Sequence, residues 1–134
     1  MKTLIATLGL LLAVLSTPAL AQQDTGAIED PADRFNKALH HLLGTQGEDK
    51  SPTTAFLMFE ELANQDFAAA QHMVGKLYET GNGVDQDYTQ AWYWYRRAVD
   101  NGFASSQTRL ARLEKRMTAE QKEKAASQLV AQGY

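Results

Sequence analysis

The sequence predicts an all-α protein: a short α-solenoid of about two and a half helix-turn-helix units with a C-terminal capping helix. Three observations predict it. Apolar residues recur at helical spacing, and no segment alternates in twos between turn signals. Helix-start signals recur, as Asp30-Pro31, Ser51-Pro52, Asp87 with Gln90, and Thr118 with Gln121. The chain also matches itself at an offset of 36, pairing Thr53 with Thr89, Ala55 with Ala91, Phe59 with Tyr95, Phe67 with Phe103, and Leu77 with Leu113. A fixed period of this length with two helices per unit is the signature of stacked repeats.

Residues 1–21 read as a secretory signal peptide. One basic residue, Lys2, precedes an apolar run from Leu4 to Leu15, and the segment ends Ala19-Leu20-Ala21, which places cleavage between Ala21 and Gln22. The run is short for a membrane span, and Pro18 follows it, so no stable span is expected after cleavage. Residues 22–29 form a polar, flexible lead-in. The repeat region follows at 30–116, and 117–134 form the capping helix and tail. Phe35, Ala38, Leu39 and Leu42 mark the first helix, and Ala55, Phe59, Leu62 and Ala63 the second. Met73, Val74, Leu77 and Tyr78 mark the third, which runs from Ala68 to Thr80. The fourth starts at Asp87, where Asp87 and Gln90 predict a capping box. Leu110 and Leu113 mark the fifth, and Ala125, Ala126, Leu129 and Val130 the sixth, expected as a lid over Leu110 and Leu113.

The chain has no cysteine, which excludes disulfides, thiol catalysis, thiolate metal sites and a lipoprotein anchor. Charge divides unevenly. Residues 22–103 hold 6 basic and 13 acidic side chains, whereas residues 104–134 hold 6 basic and 3 acidic. A mildly acidic body does not suggest nucleic-acid binding.

The stretch from Ala68 to Gly102 resembles the Sel-one-like repeat, a relative of the tetratricopeptide repeat. Ala70, Gly75, Tyr78, Gly81, Gly83, Val84, Asp87, Ala91, Trp94, Tyr95, Ala98 and Gly102 fill that family's pattern. The preceding unit, about Pro31 to Phe67, is degenerate: Leu39 replaces the glycine and Asp66 the closing glycine. Residues 104–116 give half of a third unit. Small residues at Gly75 and Ala91 predict close helix crossing, with Tyr78 and Tyr95 filling the space beside them. At the same offset Glu60-Glu61 faces Arg96-Arg97, which predicts either opposite charges on adjacent helices or two solvated faces.

No catalytic constellation is present, and the expectation is no enzyme, no cofactor and no metal. His40 and His41 are neighbours about 100° apart on a helix and cannot easily share a metal. The "GNGV" loop lacks the lysine and hydroxyl residue of a phosphate loop. The resemblance implies that the first helix of each unit lines a concave face. His72, Lys76 and Glu79 would stand on it, with Asn36, His40 and Leu43 before them and Thr108, Arg112 and Lys115 after. His40, Lys76 and Arg112 would then form a column suited to an acidic group or C-terminal carboxylate of a protein or peptide partner, unless this is an ordinary solvated face. Leu57, Trp92 and Tyr93 are a candidate association surface on the second helices. Alternatively Trp92 is half-buried and Tyr93 is a scattered surface aromatic.

The expected function is a non-catalytic interaction module, an adaptor or regulator in a bacterial envelope, periplasmic or secreted. The alternatives are a self-associating structural subunit and a hydrolase of cell-wall compounds. Against the hydrolase stands the missing cysteine-rich pattern of related repeat families linked to such chemistry.

Overall fold

The structure, a computed structural model, describes residues 29–134. The expected signal peptide and residues 22–28 of the lead-in lie outside the described residues. The described chain forms six helices: α1 Pro31–Leu43, α2 Pro52–Asn64, α3 Ala68–Thr80, α4 Tyr88–Asp100, α5 Ser105–Glu114 and α6 Ala119–Ala131. They pack in chain order, α1 on α2, α2 on α3, α3 on α4 and α4 on α5, with α6 returning to α4. Among the described residues there is no strand and no helix long and apolar enough to cross a membrane.

Local chemistry sets each start. The Asp30 carboxylate accepts from the Ala32 amide at 2.8 Å, and proline opens both α1 and α2, where its missing N–H costs nothing. Ser51 accepts from the Thr54 amide at 3.3 Å. Thr118 and Gln121 complete a reciprocal capping box at α6. At α4 the box is only half made. Asp87 caps the amides of Thr89 and Gln90, but the Gln90 side chain reaches to Gln128 of α6 at 3.1 Å instead.

The two hairpins repeat with a slip. Gly44 and Gly81, both left-handed, close α1 and α3 at an offset of 37, whereas Ser51 and Asp87 cap α2 and α4 at 36. The first loop is therefore one residue longer. The slip moves the small crossing residue of the first unit from the expected Leu39 to Ala38, fully buried and six residues ahead of its closing glycine as Gly75 is. A Cβ on Gly75 would lie 2.8 Å from the Tyr95 ring, so α3 approaches α4 closer than alanine permits. Gly83 is tighter still: a Cβ there would stand 2.3 Å from the carbonyl oxygen of Pro52, because the second unit's loop rests on the start of α2.

Each unit carries a three-ring cluster. Phe35 packs against Phe59 at 5.1 Å and Phe67 at 5.6 Å, and His72 packs against Tyr95 at 5.4 Å and Phe103 at 4.9 Å. The first core spans α1 to α4. The second joins Ala91 and Tyr95 to Leu110, Leu113, Met117 and Ala125.

Two expectations about α4 are corrected here. Tyr93 does not face outward: it is 1% exposed, packed edge-on to Trp94, with its hydroxyl donating to Gln132 beyond α6. Arg97 is likewise buried, at 5% exposed. It donates to Asp66 at 2.6 Å and to the Tyr134 hydroxyl at 2.5 Å, and lies over the rings of Tyr93, Trp94 and Tyr134. The physical reason is α6, which folds back over the side of α4 that a two-helix unit would leave open. Arg96 pairs with Asp100 and Glu61 with Arg34, so the expected pairing of Glu60-Glu61 with Arg96-Arg97 is not formed.

Candidate partner-binding face

Glu79, near the C-terminal end of α3, gathers the polar side chains of three elements. Its side chain is only 10% exposed. The Tyr95 hydroxyl of α4 donates to it at 2.7 Å. Arg109 of α5 ion-pairs with it at 3.8 Å, and Arg116, just past α5, donates to it at 3.5 Å. Burial, with this hydrogen bond next, pushes the Tyr95 phenol far above its ordinary range, so it stays a donor. Arg116 also stacks over Tyr88 at 4.8 Å.

Lys76 stands one turn before Glu79 and forms no ion pair among the described residues. Arg112 is exposed and equally unpaired there. On α5 the three-residue spacing keeps Arg109 and Arg112 within about 60° of each other, and Arg116 follows in the turn after the helix. Two arginines thus converge on one mostly enclosed carboxylate, with Lys76 one turn before it on α3 and Arg112 one turn past Arg109 on α5.

Lys76, Glu79 and Arg112 lie on the first helices as expected. Nδ1 of His40 bonds to Thr45 Oγ1 at 2.9 Å, at the end of its own helix. His72 is drawn inward, with Nδ1 bonded to the buried Ser106 Oγ at 2.8 Å. Burial, then the charges of Arg109 and Lys76, hold its pKa below the usual histidine value, against the pull of Glu79. Sequence reasoning missed Arg109 and Arg116. At the offset of 36, Arg109 falls opposite Met73, an apolar position, and Arg116 lies past the end of α5, so neither the repeat nor helical phase marks them.

The association surface expected at Leu57, Trp92 and Tyr93 also changes. Leu57 is 57% exposed, but Tyr93 is interior. Trp92 is half-buried against the second core and donates to Glu114 at 2.8 Å. Among the described residues no group of three or more histidine, aspartate or glutamate side chains is placed to hold a metal.

Comparison with known proteins fits this geometry. A protective antigen of uropathogenic Escherichia coli with an SLR fold superposes with a TM-score of 0.68 and 34% identity, over 72% of this chain and 21% of that one. A Sel1 repeat protein from Oxalobacter formigenes superposes with a TM-score of 0.58 and 32% identity, over 61% of each chain. Among curated proteins, the chitin synthase regulator SKT5 of Saccharomyces cerevisiae is 36% identical over 62 residues, covering 46% of this chain and 9% of that protein. Chitin synthase regulatory factor 3 of Schizosaccharomyces pombe is 34% identical over 91 residues, covering 67% of this chain and 9% of that one. The chain therefore spans less than a tenth of the length of these two curated relatives. The Sel1 repeat model matches residues 35–67 and 68–103, about half of the sequence, so the chain belongs to the Sel1 repeat family.

Proposed function

We propose that the protein is an exported adaptor or regulator that captures an acidic segment of a partner protein along the α3–α5 face, without catalysis. One observation carries this reading: Arg109 and Arg116 converge on the single Glu79 carboxylate, while Lys76, one turn before it, and Arg112, one turn past Arg109, are left without an ion pair among the described residues. Lys76 and Arg112 keep their charge available, and a carboxylate-rich segment would supply what Glu79 leaves unmet. Sel1 repeats are generally protein-interaction modules. The fungal relatives named as regulators and the bacterial relative named as an antigen support a regulatory, exported role. Its site of action is the periplasm or the medium, after cleavage between Ala21 and Gln22.

The test is crosslinking and pull-down of the mature chain from its native envelope, beside a Lys76→Glu, Arg112→Glu variant. Neither residue holds the fold through an ion pair, so the variant keeps its helices by circular dichroism. Partner capture is expected to fall at least about tenfold and to weaken with salt. Unaltered capture overturns the proposal.

A further inference from the structure

The first unit fills its ring cluster with Phe35, Phe59 and Phe67, all apolar. In the second unit the same three places hold His72, Tyr95 and Phe103. An apolar anchor has become a titratable one, at the joint between the second unit and α5. We propose that His72 is a pH-sensitive pin: neutral, it sits between Tyr95 and Phe103 and fastens α3 to α5 at Ser106, and protonated, the charge enclosed there loosens α5 and with it the arginine face. The proposal concerns regulation of the α3–α5 face and rests on the reading above for its functional meaning, although the pin itself does not.

The surroundings disfavour the imidazolium. Tyr95 of α4 and Phe103 before α5 flank the ring, and Ser106 of α5, fully buried, takes its Nδ1. The charged groups around it are Lys76 and Glu79 from α3 and Arg109 from α5. The two cations oppose protonation. Glu79 favours it, but its carboxylate already serves Arg109, Arg116 and the Tyr95 hydroxyl. Burial, the largest influence, acts in the same direction as the cations, and the net effect holds the pKa below the ordinary histidine value of 6.5. Below that value the unfolded chain binds a proton that the folded chain resists. Stability is therefore full above about pH 6.5 and falls as pH drops from there through the folded pKa. An acidified medium would release α5 first, because α5 is the shortest helix and an imidazolium would stand at its joint with α3, beside the Arg109–Glu79 pair.

The experiment uses the mature chain with no partner. Thermal unfolding is followed from pH 7.5 to 5.0 for wild type and for His72→Asn, whose amide can still reach Ser106 but does not titrate. His40 and His41 are present in both chains and cancel. The wild type is expected to lose melting temperature below pH 6.5 more steeply than the variant. The NMR titration of the His72 ring, which needs no variant, is expected to have its midpoint below 6.5. Equal pH slopes, or a midpoint at or above 6.5, overturn the pin. Partner capture at pH 7.5 and 5.5 then separates the two proposals. Capture insensitive to Lys76 and Arg112 at both pH values rejects the binding face and leaves the pin standing. A missing pH slope rejects the pin and leaves the face standing.

Discussion

The first and second units have nearly the same backbone and opposite interiors. In the first, Phe35, Phe59 and Leu42 pack as hydrocarbon. In the second, the corresponding places hold His72, Tyr95 and Glu79, which hydrogen-bond to one another's neighbours across three helices. The same contrast appears at the second helices, where exposed Glu61 of α2 corresponds to buried Arg97 of α4. Stacking explains the difference. The first unit is covered on one side only. The second is flanked on both sides and overlaid by α6, so polar side chains at its surface positions become enclosed and need partners. A repeat sequence specifies a unit, and its neighbours decide what that unit's polar residues become.

The largest expected effect breaks the apolar side of the contrast. Phe59→Ala removes a fully buried ring from the first cluster and should cost about 3–5 kcal/mol in urea unfolding. Its counterpart Tyr95→Phe keeps the ring but strips one donor from enclosed Glu79, and should cost only about 1–2 kcal/mol. Equal losses would mean that the second interior depends on shape alone.

A smaller and asymmetric effect is expected at the Arg97–Asp66 pair. The pair holds the Asp66 carboxyl below its ordinary pKa, chiefly through the Arg97 hydrogen bond. Asp66→Ala leaves a buried guanidinium with only phenol partners, and a loss of about 2 kcal/mol is expected. Arg97→Met leaves a carboxylate that is already mostly in water, and should stay within about 1 kcal/mol of wild type. Chemical denaturation of both variants checks the order, and the reverse order would show that Asp66 depends on the pair more than Arg97 does. The smallest effect belongs to Leu57→Ser on the outer side of α2, expected within about 0.5 kcal/mol, with no change of sedimentation. A change of oligomeric state in this variant would revive a self-associating surface there.

Much of the architecture was legible because it is locally encoded. Asp30-Pro31, Ser51-Pro52 and Thr118 with Gln121 mark helix starts within a few residues of sequence. Gly75 and Tyr95 announce their crossing by size. Tyr93 and Arg97 were misread because their burial comes from α6 and Tyr134, more than thirty residues later. The alignment by one offset failed for α1 because a single extra loop residue changes helical phase by about 100°. Arg109 was overlooked for a related reason: its place in the unit is apolar in α3, and only the Glu79 carboxylate opposite makes a cation useful there. Asp66 illustrates a substitution with two meanings. It adopts the left-handed backbone of the closing glycine, with φ 62° against 91° at Gly102, and it also supplies the counter-ion that glycine lacks.

The close seat of Gly83 on Pro52 bears on how such a solenoid can be lengthened. The contact belongs to neither unit alone: it is a joint whose two halves lie 31 positions apart. Duplicating α3–α4 in tandem would bring the glycine of the added copy down on Tyr88, which occupies the place of Pro52 one period later. The contact is made to main-chain atoms of Pro52 and Thr53, which Tyr88 and Thr89 also present. Extension of this protein therefore turns on the glycine: an added unit seats on the helix start before it only if its loop carries no side chain at that place.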